Sequence, residues 1–290
     1  MLQTNVDSLK INYMDKGSGE LVVLLHGWGS NIELFENMSE LLARKYHVVA
    51  PDMPGFGLSD EPKEPWRVDD YVDFVLKFLE PFAPKKVTFL GHSFGGSQVF
   101  FAAAAHPDRM KAAVMVDVGF GGPPADSPEG KRMQEDLAKR VANIPTPDRA
   151  QKVYPTIEAA LARFRFMPPQ VAGNLFIADF IARRSLKRAP MEDGSGEGWT
   201  WRFDPNMWNK LDRTAMNQMM VGGKPKVDVP LAHIFGDRSV IITRKIAGET
   251  TPLPDDILEI AIPDSAHHVM VDQPLALVAA LRSLLAVWPR

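Results

Sequence analysis

The chain has no cysteine, which excludes a disulfide framework, a thiol nucleophile and thiolate metal ligands together. It also lacks a strong charge of either sign. Its 33 Lys and Arg stand against 36 Asp and Glu, a net charge of −3, so there is no basic footprint for nucleic acid or an anionic membrane. No apolar run approaches the ~20 residues of a membrane span. The opening residues, 1–19, lack the basic-then-apolar order of a secretory signal. No G-x-G-x-x-G follows a strand-like run, and no His, Asp and Glu cluster has the spacing of a metal site. Internal repeats and low-complexity tracts are missing too. These absences predict a soluble, cytoplasmic protein acting on a small molecule, monomeric or homodimeric, with no metal, no cofactor, and no nucleic-acid or membrane partner.

What is present is an ordinary globular composition, 45% hydrophobic and 24% charged over 290 residues, enough to bury a large core. The informative stretch is 85–105, KKVTFLGHSFGGSQVFFAAAA. Residues 87–90 are rich in β-formers and read as a buried strand, and an Ala- and Phe-rich helix follows. Between them lies G-x-S-x-G, with Ser93 at its centre. A tight strand-to-helix turn of this kind lifts a serine Oγ clear of the sheet. It also aims the free N–H groups of the helix at any oxyanion beside the serine.

Around this turn the chain alternates strand and helix. Residues 9–14 and 21–25 are strand-like, and the turn-rich linker between them suits a hairpin. A helix is predicted over 32–45, a strand over 48–50, a helix over 68–82 and a strand over 112–116. The rhythm predicts a parallel sheet covered on both faces. From 120 to 227 strand signals vanish, and helical stretches near 129–143, 157–166 and 170–185 take their place. This segment is expected to be a helical cap, with 1–119 and 228–290 forming the core domain. The α/β rhythm returns with strands over 231–235 and 257–262 and a closing helix over 275–288.

A serine hydroxyl needs a base to take its proton and a third group to orient that base. In the chain order Ser, Asp, His, Asp237 directly follows an apolar strand and His267 follows the last one. Asp117, after the strand that succeeds the turn, is a rival acid. His268 is a rival base. His26 and His92 read as imidazoles that satisfy loop backbone groups, and Asp52 as an anchor for the glycine-rich loop after it.

Five motifs in order carry a resemblance: His26-Gly27-Trp28-Gly29 after a strand, the stretch from Asp52 to Asp60, the turn at Ser93, Gly236-Asp237, and His267 followed by Asp272-Gln273-Pro274. With them the chain resembles the α/β-hydrolase superfamily, in its serine-nucleophile branch with a helical cap. The resemblance implies an α/β-hydrolase fold with a mostly parallel central sheet, and an oxyanion hole made by the N–H groups of Trp28 and Phe94. His267 is favoured over His268 by the resemblance, since similar sequences carry a proline seven positions after the base, as Pro274 stands after His267. One departure is Ala266, where relatives usually carry glycine before the histidine. The activity implied is cleavage of a small carboxylic ester through an acyl-enzyme. Carbon–carbon bond hydrolysis, lactone hydrolysis and perhydrolysis use the same triad, and a non-catalytic ligand-binding receptor is the reading from another class. Trp201 and Trp208 of the aromatic patch, with His268, are candidates for the substrate pocket. An aromatic cluster serving as the cap's own core is the alternative.

Overall fold

The computed structural model describes residues 2–82, 85–119, 128, 131–132, 135, 151–204, 206–207, 226–246 and 257–288. Strands β1 (Leu2–Val6), β2 (Leu9–Gly17), β3 (Leu21–Leu25), β4 (His47–Pro51), β5 (Val87–His92), β6 (Met110–Val116), β9 (Leu231–Gly236) and β10 (Leu258–Ile262) form one sheet. Its order is β1-β2-β4-β3-β5-β6-β9-β10. Only β2 runs antiparallel to its neighbours; from β4 to β10 every pairing is parallel.

The central strands read as continuous apolar runs because both faces are covered. Along β3 the side chains alternate between two cores. Val22 and Leu24 face one side, with Met38 and Leu42 of helix α1 (Glu36–Leu42) and Leu277, Leu281 and Leu284 of helix α6 (Pro274–Val287). Leu21, Val23 and Leu25 face the other. There they meet Tyr71, Phe74, Val75 and Phe78 of helix α2 (Val68–Phe78), and Val99, Ala102 and Ala103 of helix α3 (Phe94–Ala105). A period of two in the strands thus meets the helical spacing of the covering layers.

The expected hairpin between residues 9–14 and 21–25 is not formed. β4 lies between the two strands, pairing antiparallel with β2 and parallel with β3. The linker makes a crossover instead, and Gly17 is what lets it pass. At φ +77° it runs so close to the end of α1 that a Cβ would lie 2.4 Å from the Tyr46 carbonyl oxygen.

Between β6 and β9 the described residues form helices α4 (Ile157–Leu161) and α5 (Leu175–Arg184), and an antiparallel pair, β7 (Leu186–Pro190) with β8 (Glu197–Trp201). The expectation that strands vanish here is therefore corrected. The Trp199-Thr200-Trp201 alternation, entered through Gly194 and Gly196 at positive φ, is a hairpin signal. The helix expected near 129–143 falls mostly outside the described residues. The segment meets the loops at the carboxyl ends of the strands: the Phe203 ring lies beside Gly29, Met207 fills the space over Gly55, and Ser185 accepts from Asn31 Nδ2 at 3.1 Å. Among the described residues no helix is long and apolar enough to cross a membrane.

Candidate active site

Ser93 stands between β5 and α3 with φ 53° and ψ −118°, a conformation that side chains with a Cβ rarely occupy. Two observations explain why the turn is so tight. A Cβ on Gly95 would sit 2.3 Å from the Leu25 carbonyl oxygen, and one on Gly91 would sit 2.2 Å from that of Gly95. The Ser93 N–H donates to Val116 O at 3.0 Å, so the turn is tied to β6. The serine itself is only half-buried, which leaves it open to a reactant.

The loop after β3 closes on the same spot. A Cβ on Gly27 would lie 3.1 Å from the Ser93 Cβ. The next ring, Trp28, meets the Phe94 ring edge-to-face at 5.2 Å and 87°. Phe94 occupies the first position of α3, where an N–H has no partner within its own helix. His26 holds this loop in shape: its Nδ1 donates to Gly27 O at 2.8 Å and its Nε2 accepts from Met53 N–H at 3.0 Å. Burial pushes its pKa down, the neutral form that this accepting nitrogen requires. Asp52 acts as the anchor expected of it, accepting from Ile32 N–H at 2.8 Å and Leu58 N–H at 2.9 Å.

His267 is buried, and its Nδ1 donates to Asp117 Oδ1 at 2.8 Å. That contact fixes the tautomer: with the proton on Nδ1, Nε2 carries the lone pair that can take a proton. Asp117 is wholly buried at the end of β6 with φ 51°. Its Oδ1 also accepts from Ser239 Oγ at 2.5 Å, and its Oδ2 from Gly236 N–H at 2.9 Å. Three donors on one carboxylate fix its orientation.

Asp237, expected at the imidazole, is not there. It is exposed, and its Oδ1 accepts from Ser265 N–H at 3.2 Å. The turn after β9 sends this side chain toward the loop that follows β10, while Asp117 reaches the histidine from one strand nearer the serine. Chain order could not separate them, because both aspartates lie between Ser93 and His267.

A family model described as the alpha/beta hydrolase fold matches residues 20–274. The chain belongs to the α/β-hydrolase fold family. It is 23% identical over 294 residues to a 2-(acetamidomethylene)succinate hydrolase of Mesorhizobium japonicum, with 98% of this chain and 94% of that one covered. The solved structure of an E-2-(acetamidomethylene)succinate hydrolase matches with a TM-score of 0.74 at 22% identity, covering 99% of this chain and 98% of that one. A 2-hydroxymuconate semialdehyde hydrolase of Pseudomonas sp. strain CF600 is 32% identical over 113 residues, 37% of this chain and 40% of its own.

The remaining candidates of this α/β hydrolase are distributed unevenly. The His268 ring packs 5.1 Å from His267, 5.1 Å from His92 and 4.6 Å from Phe166. Its N–H and its Nδ1 both donate to Gln170 Oε1, at 2.8 and 2.9 Å. Burial and the neighbouring His267 hold its pKa well below the usual imidazole value. His92 Nε2 donates to His267 O at 2.9 Å. The Trp201 ring lies 5.9 Å from Phe164, and Trp208 lies outside the described residues. Phe203 stacks on Phe56 at 5.7 Å and meets Trp28, in the loop beside Ser93, edge-on at 6.3 Å. Among the described residues no group of three His, Asp or Glu could hold a metal ion.

Proposed function

We propose that the protein is a serine hydrolase working by acyl transfer, with Ser93 as nucleophile, His267 as base and Asp117 as the acid that orients it. The Asp117–His267 hydrogen bond beside the strained turn at Ser93 carries this reading. Ser93 Oγ attacks a carbonyl carbon while its proton passes to His267 Nε2. Asp117 stabilises the imidazolium without taking its proton. The N–H groups of Trp28 and Phe94 are assigned to the oxyanion, each such donor being worth about 3 kcal/mol. Collapse of the tetrahedral adduct expels the leaving group, which takes the proton from His267. Water then repeats the sequence, releasing the acid and restoring Ser93.

A small carboxylic ester is the first substrate class to test, because alkoxides and phenoxides leave readily from such an adduct. The names of the relatives support a second reading, cleavage of a small carboxylate-bearing substrate at an amide-like or carbon–carbon bond. A panel of esters graded by acyl length, run beside an enamide dicarboxylate and a vinylogous diketone, separates the two. The serine reading itself is tested with a fluorophosphonate. It should add to one site, on the peptide that contains Ser93, and the Ser93→Ala variant should neither label nor turn over. Retention of more than a few percent of the parent rate by Ser93→Ala would remove Ser93 as nucleophile.

A further inference from the structure

Side chains from three separate parts of the chain, besides the neighbouring Ser265, hold the peptide groups around His267. Ala266 N–H donates to Asp272 Oδ2 at 2.9 Å, His267 O accepts from His92 Nε2 at 2.9 Å, and His268 N–H donates to Gln170 Oε1 at 2.8 Å. Asp272 and His92 belong to the elements that build the sheet and its covering layers. Gln170 does not; it comes from the segment between β6 and β9. Its amide is fixed at both ends, since Nε2 donates to Asp272 Oδ2 at 3.1 Å while Oε1 accepts from the His268 backbone and ring. The Asp272 carboxylate requires the NH2 end to face it, so the oxygen end must face His268. Asp272 Oδ1 accepts from Gly173 N–H at 2.7 Å, tying the same segment down a second time.

We propose that Gln170 is a positioning residue for the base: it sets the path of the backbone at 266–268 and so the alignment of His267 between Asp117 and Ser93. The proposal rests on the serine-hydrolase reading of this site. Its physical basis is that one bonded amide spans the segment over the strand ends and the loop that carries the base. Seating of that segment and alignment of the imidazole are then one event. A displacement of about 1 Å in a reacting group costs on the order of a hundredfold in rate, so a loosened loop is expected to be felt in kcat.

Gln170→Leu removes both ends of the tether at nearly constant volume. Gln170→Glu keeps an acceptor for His268 but turns the donor to Asp272 into a repelling oxygen. For both variants, kcat on p-nitrophenyl acetate and the rate of fluorophosphonate labelling should fall between about tenfold and a hundredfold, with KM moving less than about threefold. In 15N-histidine-labelled protein the His267 Nδ1–H resonance should shift or broaden, which a purely structural role would leave in place. A folded variant with parent kcat and a superimposable His267 resonance overturns the proposal, as does a loss confined to KM. Should Gln170→Leu fail to fold, Gln170→Glu and the spectrum decide alone. Ser93→Ala, run in parallel, separates the two readings. If that variant stays active, the serine reading fails whatever Gln170 does. If it is inactive while the Gln170 variants match the parent, only this proposal fails.

Discussion

The Asp117 carboxylate receives His267 Nδ1 at 2.8 Å and shares that same oxygen with the Ser239 hydroxyl. The contact joins the end of β6 to the loop after β10 and reaches across β9, the strand between them in the sheet. Gly236 N–H, at the end of that middle strand, holds the other oxygen. The orientation of the imidazole therefore depends on three adjacent strands.

Backbone strain at Ser93 yields the first expectation. A residue with a Cβ at φ 53° and ψ −118° is strained by about 1–3 kcal/mol. Glycine relieves that strain but loses up to ~1 kcal/mol through the freedom of its unfolded chain. Ser93→Gly should therefore be about 1 kcal/mol more stable than Ser93→Ala, with turnover absent from both. Urea unfolding of the pair checks this; an alanine variant as stable as the glycine one would mean the turn is unstrained.

Buried imidazoles set the dependence of stability on pH. Burial holds the pKa of His26, His92 and His268 below the ordinary 6.5, and for the last two well below it, with neighbouring histidines adding to the effect. The unfolded chain then binds protons that the folded chain refuses. Their contribution is complete above about pH 6.5 and shrinks as pH falls toward the depressed folded-state values, by on the order of 1 kcal/mol per pH unit for each group. Glu33 acts in the opposite sense, because burial raises its carboxyl, but it is one group against three. Thermal unfolding between pH 7.5 and 5.5 should show Tm falling on acidification, and His268→Gln should shallow the slope. A Tm that rises over this range contradicts neutral buried imidazoles.

The aromatic patch divides into two roles that substitutions can separate. Phe203 touches Trp28 and Phe56 beside the serine, whereas Trp201 touches Phe164. Phe203→Ala should alter the ranking of ester acyl lengths by on the order of 1 kcal/mol per methylene and spare the labelling of Ser93 by a small fluorophosphonate. Trp201→Ala should act mainly on Tm. Steady-state kinetics over the ester series, with Tm measured on the same samples, distinguishes these outcomes from their reverse.

Much of this was legible in the sequence because it is local. The apolar runs of β3 and β5, the glycines around Ser93 and the helical spacing of Tyr71, Phe74, Val75 and Phe78 each declare an element within a dozen residues. The choice between Asp117 and Asp237 is not local: both follow an apolar strand, and only the left-handed backbone at Asp117 and the route of the turn after β9 decide which carboxylate meets the histidine. Gln170 was hidden for the same reason, since its partners lie about a hundred residues away. The hairpin expected between β2 and β3 was misjudged because turn residues announce a change of direction and not the neighbour that follows it.

The most direct test of the account is to compare Asp117→Asn with Asp237→Asn in turnover of p-nitrophenyl acetate, near-UV circular dichroism confirming that both are folded. In the proposed mechanism Asp117 alone orients His267, and loss of such an acid costs about ten-thousandfold in kcat. Asp237, itself exposed, accepts from the Ser265 N–H and does not reach the imidazole, so its variant should stay within a few-fold of the parent. The predicted result is a near-inactive Asp117→Asn beside an active Asp237→Asn; an active Asp117→Asn with an inactive Asp237→Asn would contradict it.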